Sequence, residues 1–145
     1  MTDAWIVGAV RSPVGRRGGA LSMLHPADLG AHVLRALVER TGVDPGEIDD
    51  VLWGCVGQVG PQASNIGRTT VLSAGWPEHV PAMTIDRQCG SSQQALHAAA
   101  HQIRAGDADL IVAGGVEVMS QVPIASPTRL GLEAGMAHPR GGADW

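Results

Sequence analysis

The sequence predicts an α/β domain in which helices and a mostly covered sheet are stacked in layers. Three observations lead there. Three short apolar runs, residues 4–10 (AWIVGAV), 51–56 (VLWGCV) and 108–113 (ADLIVA), lack the alternation of a half-solvated strand, and residues 80–85 (VPAMTI) form a further extended run. Continuous apolar runs of this length are the signature of strands covered on both faces. Longer helical stretches separate the runs, as a layered α/β domain requires. The chain also has 20 Gly and 4 Trp but no Phe or Tyr, so its core falls to Val, Leu, Ile, Ala and Met. That composition suits closely packed sheet and helix layers more than a small aromatic-centred core.

In chain order, residues 4–10 read as the first strand. Residues 11–19 (RSPVGRRGG) are a loop broken by proline and glycine. Its arginines, Arg11, Arg16 and Arg17, leave two readings open, a solvated turn or a contact for an anion. Residues 28–41 form an amphipathic helix with Leu29, Val33, Ala36, Leu37 and Arg40 at spacings of three and four. Pro26 suits its first turn and Gly42 closes it. Residues 43–50 (VDPGEIDD) are a turn region with room for one short helical turn and charges that serve solvation. Residues 51–56 are the second covered strand, in which Cys55 reads as a packed residue. Residues 57–63 form a glycine-punctuated loop. Ser64 or Asn65 then caps a helix to about Ala74, ended by Gly75 and Pro77. Residues 108–113 are a further covered strand, followed by a tight turn at Gly114–Gly115. From Gln121 onward, Pro, Gly and Ser dominate and no covered strand is expected.

The segment 80–105 organises the rest. An extended run turns through Asp86, Arg87 and Gln88, and a helix rich in alanine continues from Cys89 to about Ala105, ending at Gly106. A thiol placed where a strand gives way to a helix lies beside unpaired N–H groups and the positive end of the helix dipole. Both favour a thiolate and so a nucleophile. The competing reading is a buried structural cysteine, a common fate of free Cys. His97 and His101 share a helix face, yet no third ligand stands at useful spacing, so no metal is expected.

Four ordered blocks then carry a resemblance. Cys89, Ser91, Gln94 and Ala95 match a C-x-S-G-x-Q-A block. Arg11, Ser12, Pro13 and Gly15 match an opening motif, and Asn65 with Arg68 matches an N-x-x-R helix start. Ala113, Gly114, Gly115, Glu117, Met119 and Ser120 match AGG-x-E-x-M-S. Together they resemble the thiolases, the acyl-CoA:acetyl-CoA acyltransferases. The resemblance implies the N-terminal part of a layered α-β-α thiolase-like fold, with a central nucleophile-bearing helix sandwiched between two sheets. It divides the chain into an α/β domain over 1–120 and the start of a loop region over 121–145. It makes Cys89 the acylated nucleophile, with its own backbone N–H as an oxyanion donor. Asn65, Arg68, Gln94 and Glu117 become structural supports of the site, Glu117 anchoring the loops around the cysteine. One departure is Ser92, where the family usually has glycine.

The implied substrates are acyl-CoA and CoA, with no cofactor and no metal. The family's activating histidine block and second cysteine block have no match within 145 residues. His138 lies in H-P-x-G but at the wrong position, directly after the first half, and is not expected to be the base. The chain therefore carries about the first third of a thiolase, expected to be inactive without the rest. Homo-oligomerisation or a complementary chain with the C-terminal half is implied, and chain-length preference and direction would be set mostly beyond Trp145. Competing expectations are a ketoacyl synthase-like condensing enzyme, which the block after the cysteine helix disfavours, and a non-catalytic structural or regulatory subunit that keeps the fold.

Composition bounds the alternatives. With 44% hydrophobic and 17% charged residues the chain is globular. A net charge of -4 without a basic stripe argues against nucleic acid. No run approaches the ~20 apolar residues of a membrane span. Two cysteines make no disulfide framework and fit a reducing, cytoplasmic setting. The start, MTDAWIVGAV, has no basic leader and does not read as a signal peptide.

Overall fold

The computed structural model describes residues 3–137. Its elements are α1 (Pro26–Thr41), β1 (Asp50–Gly54), α2 (Ile66–Ser73), β2 (Ala82–Ile85), α3 (Ser91–Ala105), β3 (Ile111–Gly115) and α4 (Ser126–Glu133). The three strands form one sheet in the order β2-β1-β3, and both pairings are parallel. β1 is central and covered on both faces. Val51, Trp53 and, just past its end, Cys55 pack with Ala27, Ala31 and Leu34 of α1 and Ile66 and Val71 of α2. Leu52 points the other way, onto Ala95 and Ala99 of α3. The predicted α/β class, with layers in the order helix, sheet, helix, is the observed one.

The caps follow local chemistry. Gly42 ends α1 and Gly106 ends α3, both in the left-handed conformation that glycine adopts without a Cβ penalty. Asn65 caps α2 by accepting from the Arg68 N–H at 3.1 Å. The charges of 43–50 do more than solvate. Asp44 caps a 3₁₀ turn at Pro45–Glu47 by accepting from Gly46 N–H. Asp49 accepts from the N–H groups of Asp109 and Leu110 at 2.8 and 2.9 Å, tying the entrance of β1 to that of β3. These two backbone hydrogen bonds hold the Asp49 carboxyl below its ordinary range.

Several expectations are corrected. Residues 4–10 form no strand: they run alongside α1, with Arg40 donating to Ala9 O, and leave Trp5, Ile6 and Val7 73–77% exposed. An apolar groove of about 620 Å³ separates them from residues 110–113, so their backbone has no ladder partner among the described residues. The buried stripe of α1 is Pro26, Ala27, Gly30, Ala31 and Leu34, displaced from the predicted Leu29–Val33–Leu37 stripe. Small residues win that contact because they let α1 approach α2: a Cβ on Gly30 would stand 2.7 Å from Thr70 Cγ2 and 3.0 Å from the Trp53 ring.

β1 ends at Gly54, leaving Cys55 and Val56 in the following loop, and β2 begins only at Ala82. α3 begins at Ser91, two residues after Cys89, and among the described residues it packs on one sheet rather than between two. Gly114 and Gly115 are strand residues, not a tight turn, paired in register with Trp53 and Gly54. The glycine-rich stretch after Gln121 contains α4. His138 lies outside the described residues. No described helix is long and apolar enough to cross a membrane.

Candidate active site

Because the sheet is parallel, the loops leaving β1, β2 and β3 emerge at the same, carboxyl end, where open α/β sheets bind ligands. Cys89 stands on the loop from β2. Its residue is exposed and it directly precedes Gly90, the N-cap of α3. Glycine supplies no capping side chain, and the first turn of α3 contains no acidic residue. Cys89 thus stands beside the positive end of the α3 dipole with no capping side chain between them. The buried-cysteine reading of Cys89 fails; it is Cys55 that is buried.

The turn that presents Cys89 is built from short local hydrogen bonds. Asp86 Oδ1 accepts from Gln88 N–H at 2.8 Å, and Gln88 adopts φ 49°, a left-handed conformation rare without glycine. Arg87 Nη1 donates to Gln94 Oε1 at 2.7 Å, which ties the turn to the first turn of α3. α3 in turn sits on the sheet through close backbone contact. A Cβ on Gly54 would stand 2.5 Å from Ser92 N, and one on Gly115 would stand 2.1 Å from Ser92 Oγ. The Ser92 hydroxymethyl therefore fills the notch that the Gly54–Gly115 pair leaves open.

Asn65 and Arg68 act one step further back, on the strand that leads to Cys89. Asn65 Nδ2 donates to Ala82 O at 2.7 Å, and Thr84 Oγ1 donates to Asn65 Oδ1 at 2.7 Å. The half-buried Arg68 guanidinium donates to Val80 O and, at 2.7 Å, to Glu78 O. The cap of α2 and the approach to the Cys89 turn are thus one hydrogen-bonded unit.

Glu117 lies elsewhere, on the loop from β3. Its carboxylate accepts from Val56 N–H at 2.8 Å, Gly57 N–H at 3.2 Å and Gln62 Nε2 at 2.7 Å, so it holds the loop that follows β1. Gln62, which sequence reasoning passed over, is fully buried and joins both loops: it also donates to Gly57 O and accepts from Val118 N–H. Nothing in a Gly-Pro-Gln loop signals such burial. The link to the Cys89 side is Cys55 N–H, which donates to Ile85 O at 3.1 Å.

The arginine loop closes over the segment after Glu117. Gly18 N–H donates to Ser120 Oγ, and Gln121 Nε2 donates to Ser22 O and Leu24 O. A cleft of about 690 Å³ lies between them, lined by Arg11, Arg16, Arg17, Glu117, Met119 and Ser120. Among the described residues no group of His, Cys, Asp and Glu is placed to hold a metal; His97 and His101 sit on the exposed face of α3.

Cys55 is chemically the opposite of Cys89. Its Sγ accepts from Gln62 Nε2 at 3.4 Å, and burial, followed by the charges of Glu117 and Asp86, pushes its thiol from the ordinary 9.0 up to about 12. The unfolded thiol ionises near 9.0 while the folded one keeps its proton to about 12, so this stabilisation is complete below pH 9.0 and is lost as pH rises toward 12. The melting temperature is expected to fall more steeply between about pH 9 and pH 10.5 than that of Cys55→Ala, with differential scanning fluorimetry as the check. Parallel slopes for the two proteins would contradict the assignment.

The family model described as "Thiolase, N-terminal domain" matches residues 4–141. The chain is 54% identical over 139 residues to steroid 3-ketoacyl-CoA thiolase FadA6 of Mycobacterium tuberculosis, covering 96% of this chain and 34% of that protein. It is 48% identical over 124 residues to beta-ketoadipyl-CoA thiolase of Acinetobacter baylyi, covering 85% of this chain and 31% of that one. In structure it is similar to the Bacillus anthracis acetyl-CoA acetyltransferase, with a TM-score of 0.77 and 47% identity over 81% of this chain and 30% of the other. The chain spans about a third of the length of these relatives. With a parallel sheet wrapped by helices and a cysteine at the head of α3, this chain, matched from residue 4 to residue 141 by the N-terminal-domain model, belongs to the thiolase family.

Proposed function

We propose that this chain is the nucleophile-bearing part of a thiolase-type acyltransferase acting on CoA thioesters. The observation that carries the reading is the exposed Cys89 at the uncapped N-terminus of α3, held by a turn of fixed shape at the carboxyl end of the sheet. The Cys89 thiolate adds to the thioester carbonyl carbon, and the tetrahedral intermediate collapses as the C–S bond to CoA breaks. CoA leaves as its thiolate and takes a proton, and the acyl group remains on Cys89. The N–H of Cys89 is the proposed donor to the developing oxyanion. In the synthetic direction acetyl-CoA gives its α-proton to the second cysteine, and its α-carbon takes the acyl group as the C–S bond to Cys89 breaks. In the degradative direction Cys89 attacks the 3-keto carbon of a 3-ketoacyl-CoA, the Cα–Cβ bond breaks, acetyl-CoA leaves as its enolate and is protonated, and CoA takes the acyl group from Cys89.

In this reading Asn65, Arg68, Gln94 and Glu117 act through Cys89 and its loops, not on the substrate. Residues 1–120 form the α/β domain, and 121–145 open the loop region. The activating histidine and the second cysteine come from the remaining family blocks, on the same polypeptide or a complementary chain. The working enzyme is a cytoplasmic homo-oligomer that takes CoA thioesters as substrates and needs no metal. The test is mass spectrometry of the chain after incubation with acetyl-CoA, alone and with a polypeptide carrying those remaining blocks. One acetyl group mapped to Cys89 is the expected result. No adduct in the presence of the complementing polypeptide, or an adduct on Cys55 instead, would overturn the reading.

A further inference from the structure

We infer that Ser91 is the positioning residue that holds the strained turn presenting Cys89. Its hydroxyl makes two hydrogen bonds to the backbone just before the nucleophile, accepting from Arg87 N–H at 2.9 Å and donating to Gln88 O at 2.6 Å. The residue is 5% exposed, so water does not compete for those bonds. Two backbone bonds close the same turn, Gly90 N–H to Arg87 O at 3.1 Å and Ser91 N–H to Gln88 O at 3.0 Å.

What makes the tether necessary is Gln88. A side chain at φ 49° is unfavourable and persists only where neighbouring interactions over-determine it. Asp86 fixes the N–H of Gln88 and Ser91 fixes its carbonyl, so both ends of the strained residue are pinned. Gly90, at the N-cap, has no side chain to do this, so the first helical residue reaches back instead. Without the Ser91 hydroxyl, Gln88 relaxes out of the left-handed region and Cys89 swings away from the positive end of α3.

The proposal rests on Cys89 being the nucleophile, and its test does not require a thioester. The rate of Cys89 carboxamidomethylation by iodoacetamide is measured against pH on the whole chain, with circular dichroism confirming the fold. Ser91→Ala is expected to slow alkylation about tenfold across the profile, because the displaced thiol is presented less well to the reagent. Ser91→Thr, which keeps the hydroxyl, retains the parent's profile.

The second arm uses Gln88→Gly, because glycine takes the left-handed conformation without strain. In that background Ser91→Ala changes the rate by less than about threefold. If Ser91→Ala alone fails to fold, the Gln88→Gly/Ser91→Ala protein decides: recovery of fold and profile supports the tether, and no recovery overturns it. A Ser91→Ala protein that folds and alkylates with the parent's profile also overturns it, as does an equal effect in both backgrounds. A chain that alkylates as described but accepts no acetyl group from acetyl-CoA with its complementing polypeptide would sink the thiolase reading and leave the tether standing.

Discussion

Cys89→Ser is expected to lower the rate of acyl transfer from acetyl-CoA by at least about 10³-fold while leaving the fold intact. The exposed side chain carries little packing, so stability should move by no more than about 0.5 kcal/mol. Reactivity is another matter. Sulfur is the far better nucleophile of the two, whereas a serine hydroxyl needs an adjacent base to attack at all. His97 lies roughly 9 Å up α3 from Ser91 at 1.5 Å per residue, on the exposed face, and cannot serve. The measurement is the time course of acetylation by intact-mass spectrometry in the presence of the complementing polypeptide. A serine variant acetylated at the parent's rate would place the acyl group on some other side chain.

The site was legible to the extent that its chemistry is local. The strand-to-helix junction at Cys89 and the Asn65 cap depend on neighbours within a few residues, so the sequence pattern contains them. What escaped depends on partners far away in the chain or on the double meaning of glycine. Gly114 and Gly115 carry the composition of a turn, yet they are strand residues because Trp53 and Ser92 occupy the space their side chains would need. Residues 4–10 have a strand's composition, but a strand also needs a ladder, and none lies within reach among the described residues. The α1 stripe was read from large apolar residues, while Ala27, Gly30 and Ala31 bury themselves by being small. Gln62 and Glu117 are 55 positions apart and meet only in the folded chain.

Trp53→Ala is expected to cost about 3–5 kcal/mol, the usual range for truncating a fully enclosed aromatic side chain. Among the described residues Trp53 is the largest fully buried side chain, 2% exposed, and it stands next to the end of β1. Three glycines from three different elements form its cradle. A Cβ would lie 3.0 Å from the ring at Gly30 of α1, 2.7 Å from Trp53 Cβ at Gly67 of α2, and 2.6 Å from the ring at Gly114 of β3. Glycines have no side chains to swing inward, so the space left by the indole can shrink only if α1, α2 and the sheet move together. That places the substitution at the costly end, where little of the cavity collapses. One term works the other way. Trp53 Nε1 is buried without a hydrogen-bond partner, so removing it relieves a desolvated N–H. Trp53→Phe drops that orphan donor while keeping a ring, and should therefore cost about 1–2 kcal/mol, well below the alanine variant. Urea unfolding followed by circular dichroism checks both, with midpoints compared at a common slope. Equal losses for Phe and Ala would show that the indole's outer ring, against Gly114 and Gly30, carries all of the packing, and that the stranded N–H costs the fold nothing.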